Sequence, residues 1–246
     1  MSRGFQQDSL LATPLNTSFV GSRVLMYEEV ESTNDRALHL GGEGTVIIAD
    51  RQTSGRGRHG RSWDSQAGLG LWFSVAFETP IDGLAFAAPL AVRDAVKPIC
   101  ACTVKWPNDV LAGGRKICGI LVESRNNRTA LGIGINVRHK PEDFPPELKD
   151  KATSIECLAG RDVDRGALLR DVLTELDRRI MVLRQGGLEA VRREWVEACA
   201  IMGRRVRCGD HVGVVKEITP EGGLVLETES GVRQLLLGEI VEMNGA

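Results

Sequence analysis

Apolar positions along this chain alternate between the spacing of strands and the spacing of helices. Compact apolar runs predict buried strands at residues 45–49 and 69–77. Capping residues and apolar spacings of three and four predict a short helix between Ser32 and Gly41, a helix over about 84–97, a helix capped by Asp164, and a helix over about 188–200. We expect Pro89 to kink or shorten the second of these helices.

Two tight turns add antiparallel hairpins to this pattern. Gly113-Gly114 separates apolar segments at 110–112 and 116–123, and Asn126-Asn127 separates the second segment from another at 130–137. Strand–helix alternation combined with hairpins favours an α+β fold with a mixed β-sheet and flanking helices over a doubly wound parallel sheet.

The pattern changes after Gly203, where short strands are separated by glycine-containing turns. About 40 residues of this kind predict a small β-barrel that docks on the main domain, because so short a segment buries little apolar surface alone. The resulting division is an N-terminal tail or edge element at 1–20, a main domain at 21–202 and a C-terminal β domain at 203–246.

Composition excludes several classes of protein. The 246 residues contain 31 Lys and Arg against 33 Asp and Glu, a formal charge of −2, which disfavours sequence-independent DNA binding. No apolar run approaches the ~20 residues of a membrane span, and no signal-peptide pattern is present. The six cysteines form no Cys-x-x-Cys pair, so we expect small buried thiols in a reducing cytoplasm and no zinc site.

Residues 55–63, with the sequence GRGRHGRSW, are the first candidate functional segment. Glycines let the backbone approach a ligand closely, and guanidinium groups suit phosphate or carboxylate oxygens. We favour an anion-binding loop that is mobile until the anion arrives, against a solvated basic loop or an RNA-binding patch. No P-loop motif is present, and the Gly-x-Gly pairs at 68–70 and 132–134 predict bulges or close backbone approach.

Two further segments carry candidate chemistry. Residues 105–109, KWPND, predict a turn after a strand, and Asp109 is alternatively a magnesium ligand. Lys116 lies beside apolar residues, so its side chain either extends to solvent or points into a site. The residues themselves leave both choices open.

Taken together, four ordered blocks resemble the biotin protein ligases, the biotin–[acetyl-CoA-carboxylase] ligases. The blocks are Ser32-Thr33-Asn34, GRGRHGRSW at 55–63, KWPNDVL at 105–111 with RKICGILVES at 115–124, and GIGINV at 132–137. The resemblance implies a catalytic domain like that of class II aminoacyl-tRNA synthetases and a C-terminal SH3-like barrel. It also implies ligation of biotin to a lysine of a biotin carboxyl carrier domain, with ATP and Mg²⁺, through biotinyl-5′-AMP.

The resemblance assigns roles position by position. It implies that Arg58 and Lys116 are catalytic and that Asp109 is linked to magnesium. The biotin-binding residues it implies are Ser32, Thr33, Asn34, Gln52, Arg56, Gly57, Arg58 and Lys116. The adenylate-binding residues it implies are Gly55, Arg56, Arg58, Trp63, Lys116 and Asn136. For Trp63, a loop anchor in the core is the alternative.

About 30 residues precede Ser32, too few for the DNA-binding domain that makes some family members repressors. We therefore expect a ligase without operator binding, whose partner is the carrier domain of acetyl-CoA carboxylase or another biotin enzyme. The alternatives are a lipoate enzyme of related architecture, a biotin or adenylate sensor, and an RNA-binding protein. The sequence leaves the oligomeric state open, a homodimer included.

Overall fold

A computed structural model describes residues 15–236, 238 and 240–243. Seven strands form the main sheet: β1 (Arg23–Val30), β2 (Thr45–Gln52), β3 (Gly70–Phe77), β4 (Cys102–Lys105), β5 (Asp109–Ala112), β6 (Arg115–Arg125) and β7 (Arg128–Asn136). Five helices accompany them: α1 (Thr33–Leu40), α2 (Leu84–Val96), α3 (Ile155–Ala159), α4 (Arg165–Arg184) and α5 (Leu188–Ala198).

The main sheet is mixed, as the hairpins predict. Its strand order is β1-β2-β3-β7-β6-β5-β4, in which β1 and β2 are parallel and the other neighbours are antiparallel. Both predicted turns are present. Gly113 and Gly114 have φ of 56° and 74°, and Asn126 and Asn127 have φ of 51° and 63°, the left-handed conformation that two-residue hairpins favour. The α+β fold is therefore confirmed.

The two faces of the sheet are covered unequally. Helices α2, α4 and α5 pack on one face over a large apolar core that includes Phe73 and Trp195. On the other face, α1 covers a small cluster of Ala37, Ile47, Ala76 and Ala130. We call this second face the α1 face. Because only one short helix covers it, much of it remains available for a binding site.

The four predicted helices are present near their predicted bounds, but the expected shortening of α2 by Pro89 is absent. Asp164 caps α4 by accepting hydrogen bonds from the amides of Gly166 and Ala167. Helix α2 runs continuously from Leu84 to Val96 through Pro89, so proline does not shorten it. Packing of α2 against α4, α5 and the sheet offsets the hydrogen bond that proline removes.

The C-terminal segment forms a five-stranded antiparallel sheet with β8 (Arg205–Cys208), β9 (His211–Ile218), β10 (Leu224–Thr228), β11 (Gly231–Leu235) and β12 (Ile240–Glu242). Its order is β11-β10-β9-β8-β12, and within the described residues no pairing joins the two outer strands. Closure into an SH3-like barrel is therefore not confirmed among the described residues. Docking on the main domain is confirmed: Trp106 Nε1 donates to Gly222 O at 2.8 Å, and both parts share one apolar core.

Residues 15–20, the described part of the predicted tail, are docked against α4. The carboxylate of Asp177 accepts the amide hydrogens of Ser18, Phe19 and Val20 at 2.8, 2.9 and 2.7 Å. Val20 is completely buried, and the Phe19 ring stacks on Phe77. The described part of the predicted tail or edge element is thus held against α4, and residues 1–14 lie outside the described residues.

Replacing Asp177 with alanine leaves three backbone amides near the core without their acceptor. We expect the free energy of unfolding to fall by about 1–3 kcal/mol, the typical cost of unsatisfied buried donors. Chemical denaturation measures this change. Asp171→Ala, an exposed position on the same helix, is the matched control. Equal stabilities of the two variants would contradict the anchoring role of Asp177.

The six cysteines are free thiols, but only Cys118, Cys199 and Cys208 are buried, so the expectation of six buried thiols is wrong for the others. Among the described residues, no three His, Cys, Asp or Glu side chains come together as a metal site. None of the described helices combines the length and apolar composition that crossing a membrane requires.

Candidate functional site

The first part of the candidate site lies where the start of α1 meets β2 and β3. Ser32, Thr33 and Asn34 are all buried, with 3–4% of their surface exposed. Gln52, at the end of β2, accepts the amide hydrogen of Thr33 through Oε1 at 2.8 Å. Its Nε2 donates to Ser65 Oγ, also at 2.8 Å. The predicted residues Thr33, Asn34 and Gln52 are therefore neighbours.

Ser74 connects Thr33 to Asn34. Its Oγ lies 2.7 Å from Thr33 Oγ1 and 2.7 Å from Asn34 Oδ1. Asn34 Nδ2 donates to Glu123 Oε2 at 2.7 Å, which fixes Oδ1 as the oxygen facing Ser74. The Thr33 hydroxyl itself donates to Gln52 Oε1 at 3.1 Å, so the one proton of Ser74 is shared between Asn34 Oδ1 and Thr33 Oγ1. Thr33 Oγ1 then has only lone pairs to offer a ligand, so it suits an N–H donor.

Glycines on the α1 face make room for this cluster and for Trp63. A Cβ at Gly132 would lie 2.5 Å from Asn34 Oδ1, and a Cβ at Gly134 would lie 2.6 Å from Trp63 Nε1. A Cβ at Gly119, on β6, would lie 2.8 Å from the Trp63 ring. The prediction of close approach at 132–134 is confirmed, and larger side chains there would displace the residues above them.

The segment at 55–63 is a loop whose two arms are joined by backbone hydrogen bonds. Trp63 N donates to Gly55 O at 2.8 Å, and Gly57 N donates to Arg61 O at 2.7 Å. At its tip, residues 58–60 form a short 3₁₀ turn in which His59 is left-handed, with φ of 57°. The backbone thus holds the base of the loop against the sheet while the tip stays at the surface. Mobility in the absence of an anion stays a prediction.

The side chain of Arg56 is fully engaged within the protein. Its guanidinium contacts Asp35 through two hydrogen bonds of 2.7 and 2.9 Å, and it contacts Glu123 at 3.0 Å. Hydrogen bonding to Arg56 holds the pKa of Asp35 below its usual value. Arg56 therefore links the loop to α1 and β6, and a direct contact of Arg56 with biotin or the adenylate stays a prediction.

Arg58 differs from Arg56. It is half-buried, burial lowers its pKa, and the nearby carboxylate of Asp109 partly opposes that shift. No hydrogen bond to the Arg58 guanidinium occurs within the part of the chain that the structure describes. Arg58 is therefore a cation with donors available for an incoming anion.

Lys116 points into the site, which decides the question that the sequence left open. Its Nζ lies 2.6 Å from Asp109 Oδ1 and 5.1 Å from the centre of the Trp63 ring. A register shift between β5 and β6 at Val110 and Leu111 is responsible. Regular alternation would put Lys116 on the face of Cys118, and one extra residue on β6 moves it to the opposite face.

Asn136 lies at the end of β7 and is buried, with 5% exposed. Its Nδ2 donates to Thr153 O at 3.2 Å, and Thr153 N donates to Lys116 O at 3.0 Å. Asn136 therefore supports the backbone beside Lys116. A direct contact with an adenylate stays a prediction.

The environment of Asp109 limits what kind of magnesium site this chain could form. Asp109 contributes one carboxylate, and that carboxylate is already paired with Lys116. A cage built only from protein oxygens does not fit these residues. An ion bound mainly by phosphates does fit, since Mg²⁺ commonly takes only one or two protein carboxylates.

Sequence reasoning missed four residues of this network: Asp35, Ser65, Ser74 and Glu123. Ser74 carried a signal, because it is the one polar side chain in the otherwise apolar and fully buried strand β3. No local sequence pattern singled out Glu123, because a carboxylate near the end of a strand is common at a protein surface. Only the packing of β6 beside β7 and α1 shows that it faces Asn34 and Arg56.

His139 lies behind the site, 2% exposed, against the rings of Trp72 and Phe144. Burial lowers its pKa below 6.5, so the native state holds it neutral at pH 7. As the pH falls below about 6.5, the unfolded chain binds a proton before the native state does. The free energy of unfolding therefore decreases as the pH decreases.

His139→Gln should lose this part of the pH dependence, and the exposed His39→Gln should keep it. Unfolding curves from pH 7.5 to 5.5 test this, and parallel pH profiles of wild type and His139→Gln would contradict it.

Residues 28–139, which contain every predicted site residue, match the model of the biotin/lipoate A/B protein ligase family. Two curated relatives cover most of the chain. This chain is 33% identical over 257 residues to the bifunctional ligase/repressor BirA of Bacillus subtilis, and the match covers 96% of this chain and 79% of the relative. It is 35% identical over 217 residues to the biotin–[acetyl-CoA-carboxylase] ligase of Mycobacterium tuberculosis, covering 82% of this chain and 80% of the relative.

Solved structures agree with these relatives. The biotin protein ligase of Aquifex aeolicus, in complex with biotin and ATP, is similar with a TM-score of 0.79 and 31% identity. The match covers 91% of this chain and all of that chain. The likeness therefore extends over about nine-tenths of this chain.

Proposed function

Because this chain belongs to the biotin/lipoate A/B protein ligase family, we propose that its site joins biotin to a protein lysine in two steps. The overall activity is ATP-dependent biotin ligation. In the first step a carboxylate oxygen of biotin attacks the α-phosphorus of ATP, and the bond from phosphorus to pyrophosphate breaks. In the second step the amine of a lysine attacks the carbonyl carbon of biotinyl-5′-AMP, and AMP leaves.

The observation that carries this proposal is the pair of cations around Asp109. Lys116 contacts that carboxylate directly. Arg58 interacts with the same carboxylate electrostatically and has hydrogen-bond donors available. The first step brings two anions together, so preorganised cations are needed at the reacting carboxylate and phosphate. Arg58 and Lys116 take this role as catalytic residues. When magnesium accompanies ATP, it offsets phosphate charge, and Asp109 would supply one oxygen to it.

The polar cluster under α1 takes the ring end of biotin. Thr33 Oγ1 accepts an N–H of the ureido group, because its own proton is donated to Gln52 Oε1. Ser32, Asn34, Gln52 and Gly57 complete this biotin pocket. The glycines of β7 leave room above the sheet for Asn34 and Trp63, which line the site.

The loop at 55–63 covers the adenylate. Gly55 and Arg56 hold the base of the loop through backbone and side-chain contacts. Trp63 is the flat surface beside Lys116 and the nucleotide, and Asn136 supports that end of the site. Closing the loop keeps water from the reactive anhydride.

The organisation of the chain and its partners follow the family pattern. Residues 21–202 form the catalytic domain, which resembles that of class II aminoacyl-tRNA synthetases, and residues 203–246 form an SH3-like barrel. The acceptor is the biotin carboxyl carrier domain of acetyl-CoA carboxylase or another biotin enzyme. Six free thiols suit a reducing cytoplasm. Operator binding is not part of the proposal.

A mass-shift assay tests the activity. The protein is mixed with Mg-ATP, an apo carrier domain, and either biotin or lipoate. We expect the carrier to gain one biotin, only with ATP, and nothing with lipoate. A gain with lipoate would make the chain a lipoate enzyme. Tight binding of biotin without transfer would favour a sensor and contradict the ligase.

A further inference from the structure

Glu123 connects two parts of the site that are far apart in sequence. Its Oε2 accepts hydrogen bonds from Asn34 Nδ2 at 2.7 Å and from Arg56 Nη2 at 3.0 Å. It lies on the α1 face near the end of β6, opposite Ala130 of β7. One carboxylate oxygen therefore contacts both the polar cluster under α1 and the base of the loop.

On the first side, Glu123 helps to determine which way the Asn34 amide points, together with Leu121 O, which accepts from the same Nδ2 group at 3.3 Å. A carboxylate can only accept, so the Nδ2 group must face Glu123 and Oδ1 must face Ser74. That orientation makes Oδ1 an acceptor for the Ser74 hydroxyl, which also contacts Thr33 Oγ1. If the amide turned over, its Nδ2 group would face Ser74, and Ser74 would no longer donate to Asn34.

On the second side, Glu123 helps to hold the loop through Arg56. The backbone of Arg56 pairs with Ser62 across the loop, so fixing its side chain fixes the loop base. Asp35 shares this task, because it makes two further hydrogen bonds to the same guanidinium. Asp35 makes no hydrogen bond to Asn34 among the described residues, so only Glu123 contacts both parts.

We propose that Glu123 is a positioning residue whose carboxylate couples the hydrogen-bonding pattern of the biotin pocket to the closure of the loop over the adenylate. This inference rests on the proposed function. Glu123 does not touch the reacting atoms, which lie toward Lys116 and Arg58. Its loss should therefore weaken binding of biotin and retention of biotinyl-5′-AMP while leaving the chemical step nearly unchanged at saturating substrates.

Four variants separate the two effects. Glu123→Ala removes both contacts, and we expect the KM for biotin and the release rate of biotinyl-5′-AMP each to rise about tenfold, as loss of one charged hydrogen bond predicts. Glu123→Gln retains an oxygen for Asn34 and should bring the KM for biotin back to within about threefold of wild type. Asp35→Asn should speed release without changing the KM for biotin. Glu29→Gln, in an exposed pair with Arg51, is the matched control and should behave as wild type.

The readouts are kcat and KM for biotin in adenylate formation, the release rate of adenylate, and the melting temperature. A uniform fall in kcat together with a lowered melting temperature, at unchanged KM and release rate, would show a merely structural role and overturn the inference. Failure of Glu123→Gln to recover the KM would also overturn it. If wild-type protein forms no biotinyl-5′-AMP, the proposed function itself fails, which is a different result from an active wild type with unaffected Glu123 variants.

Discussion

Replacing Lys116 with alanine is expected to slow the formation of biotinyl-5′-AMP by about 10²–10³-fold, the usual cost of removing one preorganised donor from a developing negative charge. Lys116 Nζ is held beside Asp109 and the Trp63 ring, so it is already in place before substrates arrive. Its loss also leaves the Asp109 carboxylate unneutralised where the anionic reactants must approach. Release of pyrophosphate under single-turnover conditions measures the effect.

Lys216→Ala provides a matched control for this prediction. Lys216 also forms a 2.6 Å ion pair with a carboxylate, that of Glu227, but on the exposed C-terminal sheet. We expect its removal to leave the rate within about twofold of wild type, since exposed pairs contribute little. A normal rate in Lys116→Ala, with an unchanged melting temperature, would contradict the assignment of Lys116.

Replacing Arg58 with glycine is expected to increase the release of biotinyl-5′-AMP by about tenfold to 100-fold and to slow its formation, with the fold intact. The guanidinium is half-buried at the tip of the loop and makes no protein hydrogen bond within the described residues, so its donors are available to the phosphate. Removing it takes away the charge that attracts the closed loop to the adenylate. Trapping of released adenylate measures the effect.

His59→Gly is the control for the change in backbone flexibility at the loop tip. His59 already adopts a left-handed conformation, with φ of 57°, so glycine fits there without strain. Both variants introduce one glycine, but only Arg58→Gly removes the cation. Equal release rates in the two variants would show that loop flexibility, and not the Arg58 charge, controls retention of the adenylate.

Local interactions account for the parts of the fold that the sequence predicted. The hairpins at Gly113-Gly114 and Asn126-Asn127 depend on left-handed backbone within two residues. The Asp164 cap and the apolar spacing of α4 are equally local, whereas Ser32 stands at the N-cap position of α1 without a side-chain capping hydrogen bond. Whether the C-terminal strands close into a barrel could not be predicted from local sequence, because closure depends on pairing between strands that are distant in sequence.

The sequence by itself determined the residue types of the candidate site: a glycine- and arginine-rich loop, a polar start of α1, and a lysine near Asp109. Tertiary structure decided how they are used. In the folded chain the Arg56 guanidinium is paired with Asp35 and Glu123, whereas the Arg58 guanidinium is available to a ligand. The two arginines are nevertheless only two residues apart in the same motif. A one-residue register shift between β5 and β6 turned Lys116 toward the site. The reason is physical: the direction of a strand side chain depends on register, and the partner of a charge depends on which chain segments pack beside it.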